Sequence, residues 1–136
     1  MSHTDLTAPD WWAQSERDAR VAHHLLQGGF EAQSVAFAHL SVEKALKSVL
    51  RAETGTSPPV THNLTVLAER MSPALPTDLA NTLDDLSGLD ISLLYQPEAL
   101  FRRRLPDSMP EARRVVAHAQ AIRDWLRPYS EADISG

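Results

Sequence analysis

Three charged residues, Glu43, Lys44 and Lys47, stand inside the most apolar stretch of the chain, FEAQSVAFAHLSVEKALKSVLR at residues 30–51. Glu43 and Lys47 are one helical turn apart, in the order that favours an ion pair along a single helix. Two readings are open. All three can lie on a narrow solvated face, with the lysine stems covering apolar neighbours, or Glu43 and Lys47 can line a groove or a subunit interface. A second group is arginine-rich: Arg102, Arg103 and Arg104 are consecutive, with Tyr95 before them and Asp107 after. Guanidinium forks match phosphate oxygens, so the run suits phosphate recognition. It equally suits a solvated loop in which Arg104 pairs with Asp107 or Glu43. Third, His118 follows Arg113 in RRVVAH. Five steps along a regular helix turn by about 140°, which puts these two side chains on different faces.

The remaining polar candidates read more simply. His23 and His24 close the first predicted helix, where imidazoles interact well with the negative end of the helix dipole. No carboxylate or further histidine stands one turn away, so no metal site is expected. His62 falls at a helix start, as a structural residue bonding the backbone or packing on the second helix, or else as a ligand contact. Asp84 and Asp85 point about 100° apart on a helix and read as solvated.

These residues must be positioned by helices. Thr7-Ala8-Pro9-Asp10 fits a capping box with proline in the first turn. A helix follows over about 10–27, with Trp12, Ser15, Ala19, Ala22 and Leu26 on one seam. Gly28-Gly29 ends it in a turn short enough for an antiparallel hairpin. The second helix carries Val35, Ala38, Val42, Ala45 and Val49 in steps of three and four, and Phe37, Leu40, Leu46 and Leu50 widen the stripe. A helix apolar over most of its circumference is central. A third, capped by Thr61 or Asn63, turns Leu64, Leu67, Ala68 and Met71 inward. A fourth spans about 76–87, with Leu75, Leu79, Leu83 and Leu86 on one face. Residues 91–107 are irregular, limited by Pro97 and Pro106. Ser108-Met109-Pro110-Glu111 forms a second capping box before a last helix whose seam is Ala112, Val115, Ala119, Ile122 and Leu126. The expected fold is all-α: an antiparallel up-down bundle of four main helices plus a short extra one. Residues 1–9 form a flexible lead, 10–127 the bundle, and 128–136 a flexible tail.

Composition excludes several functions. The chain has 136 residues, enough for one core, and no cysteine, so neither disulfides nor thiolate chemistry arises. A net charge of −5 argues against nucleic-acid binding over the whole surface, though not against a local basic site. No run approaches the roughly 18 apolar residues of a membrane span, and no basic segment leads into an apolar one at the N-terminus. A cytoplasmic protein without membrane contact is expected.

The helix LSVEKALKSVL resembles the signature helix of the HEPN family, the higher eukaryotes and prokaryotes nucleotide-binding domain. Three other pieces agree in order: a tryptophan-led first helix, Thr61-His62-Asn63-Leu64, and Tyr95 with Arg104-Leu105-Pro106-Asp107. Together they span Trp11 to Leu126. The resemblance implies a helical homodimer, and the surplus of apolar helix faces independently suggests one. Many members are metal-independent ribonucleases with an Arg-x(4–6)-His motif near the start of the last long helix. Their histidine serves as acid–base and their arginine stabilises the phosphate. Arg113 and His118 are the literal match here, but Arg114 stands where active members usually carry a polar residue, often asparagine. In the branch most similar to this chain, Arg-x-Pro-Asp takes the place of the motif, and such members look like non-catalytic binders. The resemblance therefore implies binding of nucleotide or RNA without a cofactor, alongside a minimal nucleotidyltransferase partner of the toxin–antitoxin kind. The expected site is a groove between the second helix and the arginine segment, in which Glu43 would orient an arginine, Lys47 and Arg104 would contact phosphate, Tyr95 would stack or donate its hydroxyl, and Lys44, Arg102, Arg103 and Asp107 would complete it. The alternatives are a ribonuclease toxin working through Arg113 and His118, and a dimerisation module with no ligand.

Overall fold

The computed structural model describes residues 5–89 and 111–130. Their regular structure is all helical: α1 (Ala8–Gln27), α2 (Glu31–Thr54), the short α3 (Leu64–Glu69), α4 (Thr77–Ser87) and α5 (Ala112–Leu126), with a 3-10 turn at Arg127–Tyr129. The expected fold class holds, with four substantial helices and one short one.

The capping box forms as read. Thr7 Oγ1 accepts from the Asp10 amide at 3.2 Å, and the Asp10 carboxylate accepts from the Thr7 amide at 3.0 Å. Because the cap is Thr7, α1 begins two residues earlier than its apolar seam suggests. The reversal into α2 uses Gly29, whose φ of 82° is costly for a residue with a Cβ. The two helices then run antiparallel: Ser15 Oγ donates to the Ser41 carbonyl at 2.6 Å, and Ser48 Oγ donates to the Ala8 carbonyl at 2.7 Å.

Helix α2 is the centre of the bundle and packs on α1, α3 and α5. Val35, Ala38, Val42, Ala45 and Val49 are all buried, as are Leu46 and Leu50. Each large aliphatic side chain so buried stabilises the fold by about 1.5–3 kcal/mol. Neighbours on three sides leave α2 little solvated face, and the first of the two readings of its charges fails for Glu43 and Lys47. Glu43 is 3% exposed and Lys47 7%. They do not lie on a solvated strip; the mutual pairing of their charges makes this burial tolerable.

Asn63 caps α3, its side chain accepting from the Val66 amide at 3.1 Å. Leu64 and Leu67 seal that helix against the core. Helix α4 turns Leu83 and Leu86 inward. The predicted seam of α5 is buried throughout, with Val116 added. Its start differs from expectation: Glu111 is the cap residue, with extended backbone (ψ 136°) and no side-chain capping bond, so the described helix begins at Ala112 instead of following a Ser108 cap.

Candidate functional site

The centre of α2 holds a polar cluster. Glu43 Oε2 accepts from Lys47 Nζ at 3.2 Å, the i,i+4 pair read from the sequence. Glu43 Oε1 lies 2.8 Å from His62 Nδ1. The turn between α2 and α3 brings that imidazole up to α2, and its side chain remains 83% exposed. The Lys47 ammonium sits 5.4 Å from the centre of the Trp11 ring, within cation–π range. One turn before Glu43, His39 is buried, and burial pushes its pKa below the ordinary value; the Glu43 charge opposes this, and His62 adds to it. Lys44 points away from the cluster and pairs with the buried Asp18 at 2.7 Å. The Trp11 indole N–H is buried without a hydrogen-bond partner among the described residues.

A separate cavity of about 410 Å³ lies between the end of α4 and the start of α5. Asp84 and Asp85 line one side, Arg114 and His118 the other, with Leu89 at its edge. Arg114 and His118 are four residues apart and share a helix face. Arg113 is exposed and does not line this cavity. The 140° argument from the sequence thus describes what a regular α5 does: His118 shares its cavity with the arginine after the motif arginine. Both aspartates are exposed, and Asp84 also accepts from Thr65 Oγ1 at 3.3 Å.

Of the residues singled out in the sequence, the structure brings Glu43, Lys47 and His62 together, and places His118 in the cavity. Lys44 and Arg113 belong to neither cluster. Tyr95, Arg102, Arg103, Arg104 and Asp107 lie outside the described residues. His23 and His24 are exposed, and among the described residues no group of three or more metal-ligating side chains converges.

One polar centre escaped the sequence reading. Arg123 is 2% exposed. Its Nε donates to Ser15 Oγ at 2.7 Å, its guanidinium donates to Glu16 at 2.6 Å, and it lies 5.0 Å from the Trp12 ring centre. Arg127 meets the same carboxylate at 2.9 Å and the same ring at 5.1 Å. The available signal was Ser15, a hydroxyl in an otherwise apolar seam that needs a buried partner.

A model of the HEPN domain matches residues 8–129 of the sequence. The chain belongs to the HEPN domain family. Two solved structures share this HEPN fold. TT1696 from Thermus thermophilus is 24% identical, with a TM-score of 0.69 over 90% of this chain and 97% of that one. ST0689, an archaeal HEPN homologue, is 21% identical, with a TM-score of 0.66 over 92% of this chain and 98% of that one. No curated protein matches the sequence. Among the described residues of this HEPN domain, no helix is long and apolar enough to cross a membrane.

Proposed function

We propose that this HEPN domain binds a nucleotide or RNA without cleaving it, as a homodimer working with a minimal nucleotidyltransferase partner. The observation that carries the reading is the cavity between α4 and α5, where Arg114 and His118 share one wall. Its volume, about 410 Å³, is in the range of small-molecule sites. The chain leaves the described residues beside it, at Leu89, and returns at Glu111. Arg102, Arg103, Arg104, Asp107 and Tyr95 fall in the intervening sequence, outside the described residues, and their chemistry suits phosphate and base stacking. Lys47 is buried and already engaged by Glu43, so direct phosphate contact falls to the arginines. Arg113 stands outside the cavity that His118 lines, which favours binding over cleavage within one protomer.

The test is a thermal-shift and calorimetric screen of the full chain against mononucleotides and short RNA. A rise in Tm is expected that Arg104→Ala and Arg114→Ala both diminish. No shift with any nucleotide or oligonucleotide leaves the dimerisation module as the better reading. The place of His118 in the cavity wall favours one second reading, metal-independent RNA cleavage with Arg113 supplied from the other protomer. Growth inhibition on expression that disappears in His118→Ala would establish that reading and overturn the first. Finding a small nucleotidyltransferase reading frame beside this one would support the partnership.

A further inference from the structure

His62 is the exposed end of a buried charge relay. Its Nδ1 faces a carboxylate whose side chain is only 4% exposed, and the ring itself is 83% exposed. An ionised carboxylate only accepts hydrogen bonds, so in the neutral ring the proton sits on Nδ1 and the lone pair on Nε2. The backbone on both sides of the ring is fixed: the Asn63 amide donates to Thr61 Oγ1 at 3.1 Å, and the Asn63 side chain caps α3. Lys47 occupies the other oxygen of Glu43. The result is a histidine of set tautomer, oriented by a third group, with its nucleophilic nitrogen free in solvent. That is the arrangement by which side-chain nucleophiles are activated. Of the other histidines among the described residues, the exposed His23 and His24 have no carboxylate partner there, His39 is buried and His118 half-buried.

We propose that His62 is a phosphoryl-acceptor site, modified on Nε2 by donors of the acyl phosphate or phosphoramidate class. With phosphoramidate, the Nε2 lone pair forms the new N–P bond as the donor's P–N bond breaks. The bonding pair leaves on nitrogen, which departs as ammonia. The ring gains positive charge during the transfer, and its Nδ1 proton remains hydrogen-bonded to Glu43, whose carboxylate offsets that charge where it develops. No oxidation or reduction is involved. The site lies on residues other than those lining the α4–α5 cavity, so it stands or falls separately from the nucleotide reading.

The experiment treats the full chain with potassium phosphoramidate near neutral pH and maps the product by mass spectrometry and phosphorus NMR. The expected product is an acid-labile phosphohistidine at His62, formed about tenfold faster than at His23 or His24. His62→Gln, a change at an exposed position, removes that product and leaves the helical circular dichroism unchanged. Glu43→Gln lowers the rate ratio of His62 to His23 and His24 severalfold. The ratio is taken within one molecule, and a second variant, Glu43→Gln with Lys47→Met, keeps the site neutral should the single change unfold the bundle. Equal modification of His23, His24 and His62, or a ratio untouched by loss of the Glu43 charge, overturns the proposal.

Discussion

On the α5 side of α1, Arg123 is enclosed by Ser15, Glu16, Gln120 and the Trp12 ring. On the other side, Glu43 and Lys47 are enclosed just as tightly, yet their cluster ends in an imidazole standing in solvent. Consecutive tryptophans of α1 divide the two: Trp11 serves the Lys47 cluster and Trp12 the arginines. Both clusters bury charge at a cost that pairing offsets. The first ties α1 to α5, with Glu16 and Arg127 paired at its half-exposed edge. The second delivers the electrostatics of a buried pair to one exposed atom. Buried charge by itself therefore does not separate the two clusters; an exposed imidazole resting on a buried carboxylate does.

The difference makes graded predictions. The largest effect should follow Arg123→Ala, which leaves a void, removes the donor to Ser15 Oγ and releases Glu16. A loss of about 4 kcal/mol in denaturant unfolding is expected, with little effect on chemistry at His62. Next comes Glu43→Leu, which strands the Lys47 ammonium in the core and costs about 3 kcal/mol. Adding Lys47→Met should restore most of that stability, since a well-packed apolar pair often replaces a buried ion pair without loss. The rescued double variant should still have lost the held tautomer of His62, seen as altered imidazole nitrogen shifts by NMR. Rescue of both properties together would remove the distinction between a structural and a presenting cluster. Smaller still is Thr7→Ala at the α1 cap, whose side chain bonds the Asp10 amide, at about 1 kcal/mol. If this change equals Arg123→Ala in unfolding, the arginine cluster is not the tie described.

The helices were legible because their apolar steps are regular and their caps are local: Thr7 with Asp10, Gly28, and Asn63 are all readable within a few residues. The Glu43–Lys47 pair was legible too, as an i,i+4 spacing, but its burial was not. That depends on α1 and α3 closing over α2, which no local pattern states. His62 joins Glu43 across 19 residues and Arg123 joins Ser15 across 108, so both contacts are properties of packing alone. The same reason accounts for α5, where periodicity placed His118 near the seam while only the neighbouring end of α4 turned its face into a cavity.

The smallest predicted effect is also the one that separates the clusters by the pH at which each loses stability. His39 titrates below the ordinary imidazole value of 6.5, first because it is buried and then because of His62, with Glu43 opposing. In the window from that value down to the lowered one, the unfolded chain binds the proton more readily than the folded chain. Stability must therefore fall as pH drops through this window. Glu16 behaves in the carboxylate range. Burial raises its pKa, but the hydrogen bonds and charges of Arg123 and Arg127 outweigh burial and hold it below the ordinary 4.5. Its contribution is present above that value and is lost as pH falls through the lowered one. Urea unfolding across pH should thus show two separate losses. His39→Gln should erase only the upper one, and His62→Gln should narrow it by removing a charge that keeps His39 neutral. Arg127→Gln, at the exposed edge of the closed cluster, should shrink only the lower one. A single loss that both sets of variants move would mean that the two clusters titrate as one unit through α1, and that Trp11 and Trp12 couple them instead of dividing them.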